Sequence, residues 1–556
     1  MNEMEIFNKN SETLVAEEVV IQKPLLNMEQ IDAEEKATPK TITPKLLWEC
    51  THCGNIYQPS VPFKCDCGRR KFQLNNFQAA VLYFIKNEST AEEYVKQFFQ
   101  LGLKTTLTEI LVNVAKGKSK FYTTRFDERN EIYCYKEGIY VPEGRTIIKE
   151  IVRKYAGQEY NEQLGNAVVS KIEADTYITQ QDLFKPQNIN EMCCLNGVLN
   201  LRTRELTSFT PDKIFFSKIR AKYVPGLSCT KIEEFLSEVL PENNDKLTIY
   251  ELVGFCLYRE YFIEKAVMML GTGRNGKGKT ITLIKRLLGE ENFTGLALQK
   301  LESGDFKEVE LMGKLANLGG DVSNYPLKDT AKFKGLTGRD TITASKKFKN
   351  DVSFENYAKM IFATNTLPKT YDLTNAFFSR WVYLNFPYEF KPLAEYEAAI
   401  KRDPKLKDKL KVMNPNRIEG ILSEEELSGF LNAGLDGLDR LFQKNNFTAS
   451  KSSEETMNWW IRNSDSFLAF TLEKLEIADS ELEYIQKDVL RKKYQAYCKE
   501  FRLPPEGDKH IYEIMIRQVK AWDSQLSDES RERVWKGVKF KLIEEVKEIS
   551  QGTQPY

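Results

Sequence analysis

The chain has 556 residues and carries 80 Lys+Arg against 80 Asp+Glu, a formal net charge of zero. That balance excludes a histone-like, wholly basic nucleic-acid binder and leaves local basic patches open. With 41% hydrophobic residues, no apolar run near the ~20 residues of a membrane span and no signal-like stretch in Met1–Asn10, the expectation is a several-domain cytoplasmic protein with no membrane association. Two histidines, His52 and His510, are too few for chemistry built on several His ligands or a His relay.

Residues 1–45 hold nine acidic and five basic side chains with no persistent periodicity, which predicts a disordered acidic tail. Residues 46–73 change character. Cys50-x2-Cys53 and Cys65-x-Cys67 are 11 residues apart, and each pair is followed by glycine. Two thiolate pairs on short turns can surround one tetrahedral Zn²⁺. The segment therefore reads as a zinc ribbon with Cys50, Cys53, Cys65 and Cys67 as ligands. Lys64, Arg69, Arg70 and Lys71 give it a basic edge, so a structural metal and a DNA-contacting knob both stay open. Residues 74–229 read as mainly helical. An aromatic, strand-like stretch at Phe121–Pro142 interrupts them, with a strand and turn at Asn196–Glu205 and a strand near Ile214–Phe216.

Residues 230–390 alternate helices with the apolar runs Ala266–Leu270, Leu315–Leu318, Met360–Thr364 and Trp381–Phe386, the pattern of an α/β domain with a parallel sheet. The first run leads into Gly271-Thr272-Gly273-Arg274-Asn275-Gly276-Lys277-Gly278-Lys279-Thr280 and then an amphipathic helix. Glycines let successive N–H groups turn toward one anion, the helix N-terminus adds partial positive charge, and a lysine reaches the outer phosphates. Gly273, Gly278, Lys279 and Thr280 fit G-x-x-x-x-G-K-[ST]. A shifted register uses Gly271, Gly276 and Lys277, with Gly278 in place of the hydroxyl residue. The spacing leaves Lys277 and Lys279 both open.

Asp321 ends the second apolar run, at the position where a parallel sheet presents groups to a nucleotide. It can hold Mg²⁺ or polarise an attacking water. Asn365 ends the third run and can position that water. Arg380 precedes the fourth and offers a planar fork to phosphate oxygens. Lys328–Asn350 contains seven basic and two acidic residues. Thr341–Thr343 and Val352–Phe354 predict a hairpin with Lys346, Lys347 and Lys349 near its tip, suited to a phosphate backbone. Residues 391–463 read as a helical linker or lid. Residues 464–545 read as helix-helix-helix-strand, a winged-helix-like unit whose third helix covers Ile511–Trp522, and 546–556 as a tail.

Taken in order, the phosphate loop, "GKLANLGGD", "FKGLTGRDTITASKKFK", "AKMIFATNTLP" and "DLTNAFFSRW" resemble superfamily 3 helicases of the phage/plasmid primase and poxvirus-type nucleoside-triphosphatase branch. Upstream, "NGVLNLRTREL" at 196–206 resembles an element of that family's helical domain. The resemblance covers roughly 120–390 and, more loosely, 464–542. It implies an AAA+-like P-loop core in a homo-oligomeric, hexameric ring that hydrolyses ATP with Mg²⁺ and translocates 3′ to 5′ on single-stranded DNA. Such a motor serves replication of a virus, plasmid or mobile element, with a primase or other replication protein as partner. It also implies Lys277 as the P-loop lysine, Asp321 as the Walker B acid, Asn365 as the sensor and Arg380 as the arginine finger. Lys346 and Lys347 fall in the DNA-contacting hairpin. Thr280 falls off the family's hydroxyl position, and Gly320 stands where an adjacent acid would pair with Asp321. Residues 75–120 are too short for a primase domain. A loader or initiator that binds DNA without unwinding, an RNA-directed motor and a nucleotide-binding scaffold are the rival readings.

Overall fold

The structure, a computed structural model, describes residues 48–50, 52, 56–57, 72–74, 77–86, 91–125, 130–184, 188–302, 308–320, 322–323, 325–344, 352–414, 420–480, 482–501, 503–526 and 532–541. The expected acidic tail, the final tail, Cys53, Cys65, Cys67 and the Cys50 side chain lie outside the described residues. Contacts divide the chain into two units, residues 1–117 with 151–168 and residues 118–150 with 169–556.

In the first unit the short strands Ile56–Tyr57, Trp48–Cys50 and Phe72–Leu74 pair antiparallel in that order. The helix Ala91–Gln100 buries Ala91, Val95 and Phe98 along one face. Phe98 meets Phe84 edge-on, with ring centroids 6.4 Å apart.

The second unit is built on a five-stranded parallel sheet: β1 (Ala266–Leu270), β2 (Phe293–Thr294), β3 (Ala316–Gly319), β4 (Lys359–Thr364) and β5 (Trp381–Asn385). Their order is β2-β3-β4-β1-β5. Four of these strands are the four apolar runs of the sequence. β2 is only two residues long and leaves no run to read. The runs are nearly all apolar because helices cover both faces; one buried exception, Asn317 of β3, bonds the Leu296 N–H (2.7 Å) and carbonyl (3.0 Å). Val267 and Met269 of β1 pack with Leu283, Ile284 and Leu287 of the helix Lys277–Leu288 and with Leu252 and Leu438. Ala266 and Met268 pack on the opposite side with Phe333, Phe377, Trp381 and Trp460.

Two helices that buttress the first face, Asn243–Leu257 and Glu424–Lys444, meet backbone to backbone. A Cβ on Gly254 would lie 2.2 Å from the Gly434 carbonyl. Beside this crossing Glu251 is fully buried, and its carboxylate accepts from Arg440 Nε (3.2 Å) and the Thr448 backbone N–H (2.8 Å).

Two small antiparallel sheets precede the core: Phe121–Thr124, Glu131–Lys136 and Ile139–Val141, then Glu191–Cys194, Gly197–Asn200 and Leu206–Thr207. The strand expected near Ile214–Phe216 does not form. Leu206–Thr207 supplies the third strand, and the Phe215 carbonyl takes one bond from Tyr140 N–H (2.7 Å).

C-terminally, helices Ser466–Lys474, Lys487–Phe501 and Asp508–Arg517 pack on antiparallel strands Tyr484–Gln486, Arg533–Lys536 and Trp522–Gln525. The third helix stops at Arg517, short of the expected Trp522. Val519 N–H and Ala521 N–H fold back onto Ile514 and Met515 carbonyls (3.1 and 3.0 Å), and Lys520 turns left-handed (φ 57°). Trp522 therefore opens a strand. Among the described residues, no helix is long and apolar enough to cross a membrane.

Candidate functional site

The loop between β1 and the helix Lys277–Leu288 turns left-handed at Gly273, Arg274 and Gly276 (φ 106°, 46° and 94°). Such a loop aims consecutive N–H groups into one concavity. Arg274 is costly there, and it is held on both sides. Its carbonyl accepts Phe390 N–H (2.8 Å), and its guanidinium lies 3.6 Å from Glu395. A Cβ on Gly271 would strike the Asn275 amide at 1.9 Å, so glycine is required for Asn275 to tuck under the loop. Asn275 is 3% exposed, donates to the Phe386 carbonyl (3.4 Å) and accepts from Lys277 N–H (3.4 Å).

The two candidate lysines part company here. Lys277 is the first residue of the helix and is 7% exposed. Its ammonium donates to the Gly271 carbonyl and to Asn365 Oδ1, the latter at 3.0 Å. Lys279 is exposed. Thr280 is fully buried, and its hydroxyl donates to the Gly276 carbonyl (3.2 Å), so it is spent inside the helix. A Cβ on Gly278 would meet nothing within 4 Å, which leaves open space beside the loop.

Asn365 follows β4 and Gly271 follows β1. Because Leu270 pairs with Thr364, the two residues stand side by side at the carboxyl edge of the sheet. This is the edge at which open parallel sheets bind ligands. Asp321 lies outside the described residues; Gly319 and Gly320 bring β3 to the same edge.

Arg380 sits at the opposite edge. Trp381 pairs with Ala266, the first residue of β1, and Arg380 O accepts Ala266 N–H (2.6 Å). About 13 Å of strand separates it from the phosphate loop, at ~3.3 Å per residue. Its guanidinium binds Glu264 (2.9 Å) and Thr337 Oγ1 (3.1 Å). Arg380 is thus not joined to Lys277 and Asn365 within one chain.

The basic stretch divides in the same way. Lys332 pairs with Glu308 (2.7 Å), Lys334 with Asp372 (3.0 Å) and Arg339 with Glu260 (3.0 Å), so these three charges are spent internally. The flanks Thr341–Ala344 and Val352–Glu355 pair antiparallel as a hairpin. Lys346, Lys347 and Lys349 lie outside the described residues.

Two residues near the site carry no sequence signal of their own. Asp372 gathers Thr330, Thr374 and Lys334. Burial pushes its carboxyl up, but these hydrogen bonds outweigh burial and hold it well below the usual carboxylate range. Lys369, in the loop after Asn365, lies among Asp465, Glu506 and His510. Both are polar residues in loops, where composition does not distinguish a partnered charge from a solvated one.

Residues 114–241 match a family model described as D5 N terminal like. Residues 269–380 match a family of unknown function, DUF5906. The second match begins in β1 and ends on Arg380, so it spans Lys277, Asp321, Asn365 and Arg380. A protein of Acanthamoeba polyphaga mimivirus, named a putative helicase, is 24% identical over 283 residues, 48% of this chain and 28% of that protein. The chain therefore matches less than a third of that relative's length. Among solved structures, the apo NrS-1 C-terminal region aligns at 14% identity and TM-score 0.38, covering 77% of this chain and 97% of that one. A JCV helicase bound to a small molecule aligns at 10% identity and TM-score 0.22, covering 53% and 78%. At these scores the structural likenesses add nothing to the fold described above.

Proposed function

We propose that the chain is an ATP-hydrolysing motor that translocates on single-stranded DNA and unwinds duplex during replication of a virus or mobile element. The observation that carries this reading is the Lys277 ammonium. It is held between the Gly271 carbonyl and Asn365 at the mouth of a left-handed loop that opens a helix. The D5-like match and the helicase name of the viral relative support the same reading.

ATP would lay its outer phosphates on the N–H groups of Gly273 to Lys277, where the helix N-terminus favours anions. Lys277 would exchange both partners, the Gly271 carbonyl and Asn365 Oδ1, for phosphate oxygens and so free Asn365 to orient water. Asp321 would polarise that water. Mg²⁺ bound with the nucleotide supplies charge neutralisation. Asp321 is the candidate ligand, because Thr280 is fully buried and falls off the family's hydroxyl position. Zn²⁺ at Cys50, Cys53, Cys65 and Cys67 would hold the N-terminal strands together. Arg380, at the wrong edge of the sheet for its own nucleotide, would serve a neighbouring subunit's site. A homo-oligomeric ring, six-membered in the family it resembles, provides such a neighbour. Lys346, Lys347 and Lys349 on the hairpin would track the DNA backbone.

The test is strand displacement of a duplex bearing a single-stranded tail, with ATP and with a non-hydrolysable analogue. Displacement only with ATP supports the motor. DNA-stimulated hydrolysis without displacement replaces it with a loader or initiator. Stimulation by RNA alone moves the substrate class.

A further inference from the structure

The loop that leaves Asn365 is fastened at two points, to the helix Ser453–Ser464 and to the C-terminal helices that follow it. The Pro368 carbonyl accepts the indole N–H of Trp460 (2.9 Å), a side chain with no exposed surface that packs against Phe377 and Trp381. The next residue, Lys369, places its ammonium in a cradle of three side chains. Asp465 Oδ2 lies at 3.2 Å, Glu506 Oε1 at 3.1 Å and His510 Nε2 at 3.1 Å. Lys369 O accepts Leu327 N–H (2.8 Å), so the same residue also grips the segment that follows Asp321.

The cradle is built into the C-terminal core. Asp465 is 5% exposed on its side chain, and its Oδ1 caps the next helix through Leu468 N–H (3.0 Å). Glu506 N–H donates to Tyr494 Oη (2.8 Å), which meets Ser466 Oγ at 2.7 Å. Asp465, Glu506 and His510 have the donor types of a divalent-cation site. Lys369 stands within 3.2 Å of all three, so the cation at their centre is the lysine's own. His510 Nε2 also lies 2.7 Å from Asp465 Oδ2. One ring nitrogen cannot donate to Asp465 and accept from Lys369 at once. The junction therefore has two arrangements, one with the lysine held by three partners and one with it held by two.

We propose that Lys369 is a positioning residue through which the C-terminal helices set Asn365, making ATP turnover depend on the state of that region. This rests on the ATP-hydrolysing reading above. The C-terminal region fixes Pro368 and Lys369, and these fix the short loop from Thr366. Asn365, at the head of that loop, meets Lys277. A shift of the cradle reaches the water-orienting amide through three residues of backbone.

The test uses the full-length protein and steady-state ATP hydrolysis. Lys369→Met keeps the stem and removes the charge. Asp465→Asn keeps the helix cap and removes the carboxylate. Lys369→Arg keeps the charge. Lys369→Met and Asp465→Asn should each lower kcat about tenfold, leave KM within about twofold, and combine with no further loss, as coupling through one element requires. Lys369→Arg should recover most of the rate. An unchanged kcat overturns the inference. So do losses that multiply in the double variant, or a KM that rises in step with a fall in melting temperature. If Lys369→Met does not fold, Asp465→Asn and Lys369→Arg carry the same comparison. A wild type that never hydrolyses ATP removes the motor reading and this inference together. An active wild type with an indifferent Lys369→Met removes the inference alone.

Discussion

At the carboxyl edge of the central sheet, the Lys277 ammonium donates, among the described residues, to the Gly271 carbonyl and Asn365 Oδ1, beside a loop with room for a ligand. At the amino edge, Lys359 is 1% exposed and donates to three carbonyls, those of Tyr258 (2.7 Å), Tyr357 (2.7 Å) and Glu260 (3.1 Å). Its ammonium also lies 4.5 Å from the Phe255 ring centroid. The first lysine has partners that a phosphate can replace. The second has every donor committed to the protein. Arg339 is likewise tied there, to Glu260 (3.0 Å). Identical residue types therefore work differently at the two edges: one edge keeps its charges exchangeable, and the other uses them to fasten helices to strands.

Arg380 breaks or sharpens this contrast most strongly. If its charge is exchanged onto a neighbour's nucleotide, Arg380→Ala lowers ATP turnover by about a thousandfold, the lower range for an arginine finger. Mixing that variant with Lys277→Ala protein then restores part of the rate, because each subunit supplies what the other lacks. No recovery on mixing would mean that Arg380 belongs with the fastened charges.

Lys359→Met should cost about 3 kcal/mol of stability, by leaving the carbonyls of Tyr258, Glu260 and Tyr357 without their donor. Urea unfolding checks this. Burial lowers the Lys359 pKa from 10.5 to about 7. Between those values the unfolded chain binds the proton and the folded one does not, so this group's contribution to stability rises with pH. The wild type should gain on Lys359→Met between pH 7 and pH 10, and a gap that narrows as pH rises would contradict the assignment. Gly254→Ala should cost about 1–3 kcal/mol in the same measurement, because its methyl group meets the Gly434 carbonyl. A neutral effect there would mean that the helix pair yields.

Much of the sheet is legible in the sequence because a strand buried on both faces must be a nearly continuous apolar run. β1, β3, β4 and β5 announce themselves in this way. β2, with two residues, does not. The loop is legible because its glycines answer to geometry: Gly271 makes room for Asn275, and Gly276 turns left-handed. The choice between Lys277 and Lys279 is not legible, since both stand near glycines. Burial separates them only once the helix start is fixed at Lys277. The ties of Lys332, Lys334 and Arg339 are equally hidden, because their carboxylates at Glu308, Asp372 and Glu260 come from elsewhere in the chain. What read as a basic tract is partly a set of fasteners. The C-terminal turn at Lys520 is invisible for a related reason. Its left-handed φ falls on a lysine rather than a glycine, and the apolar spacing runs on past it.

The most direct measurement is steady-state ATP hydrolysis by wild type, Lys277→Ala and Lys279→Ala, with and without single-stranded DNA. The account predicts turnover stimulated by DNA, lost by about a hundredfold or more in Lys277→Ala and nearly unchanged in Lys279→Ala. Turnover that survives Lys277→Ala and falls with Lys279→Ala would contradict it, because the exchangeable charge would then be the exposed lysine.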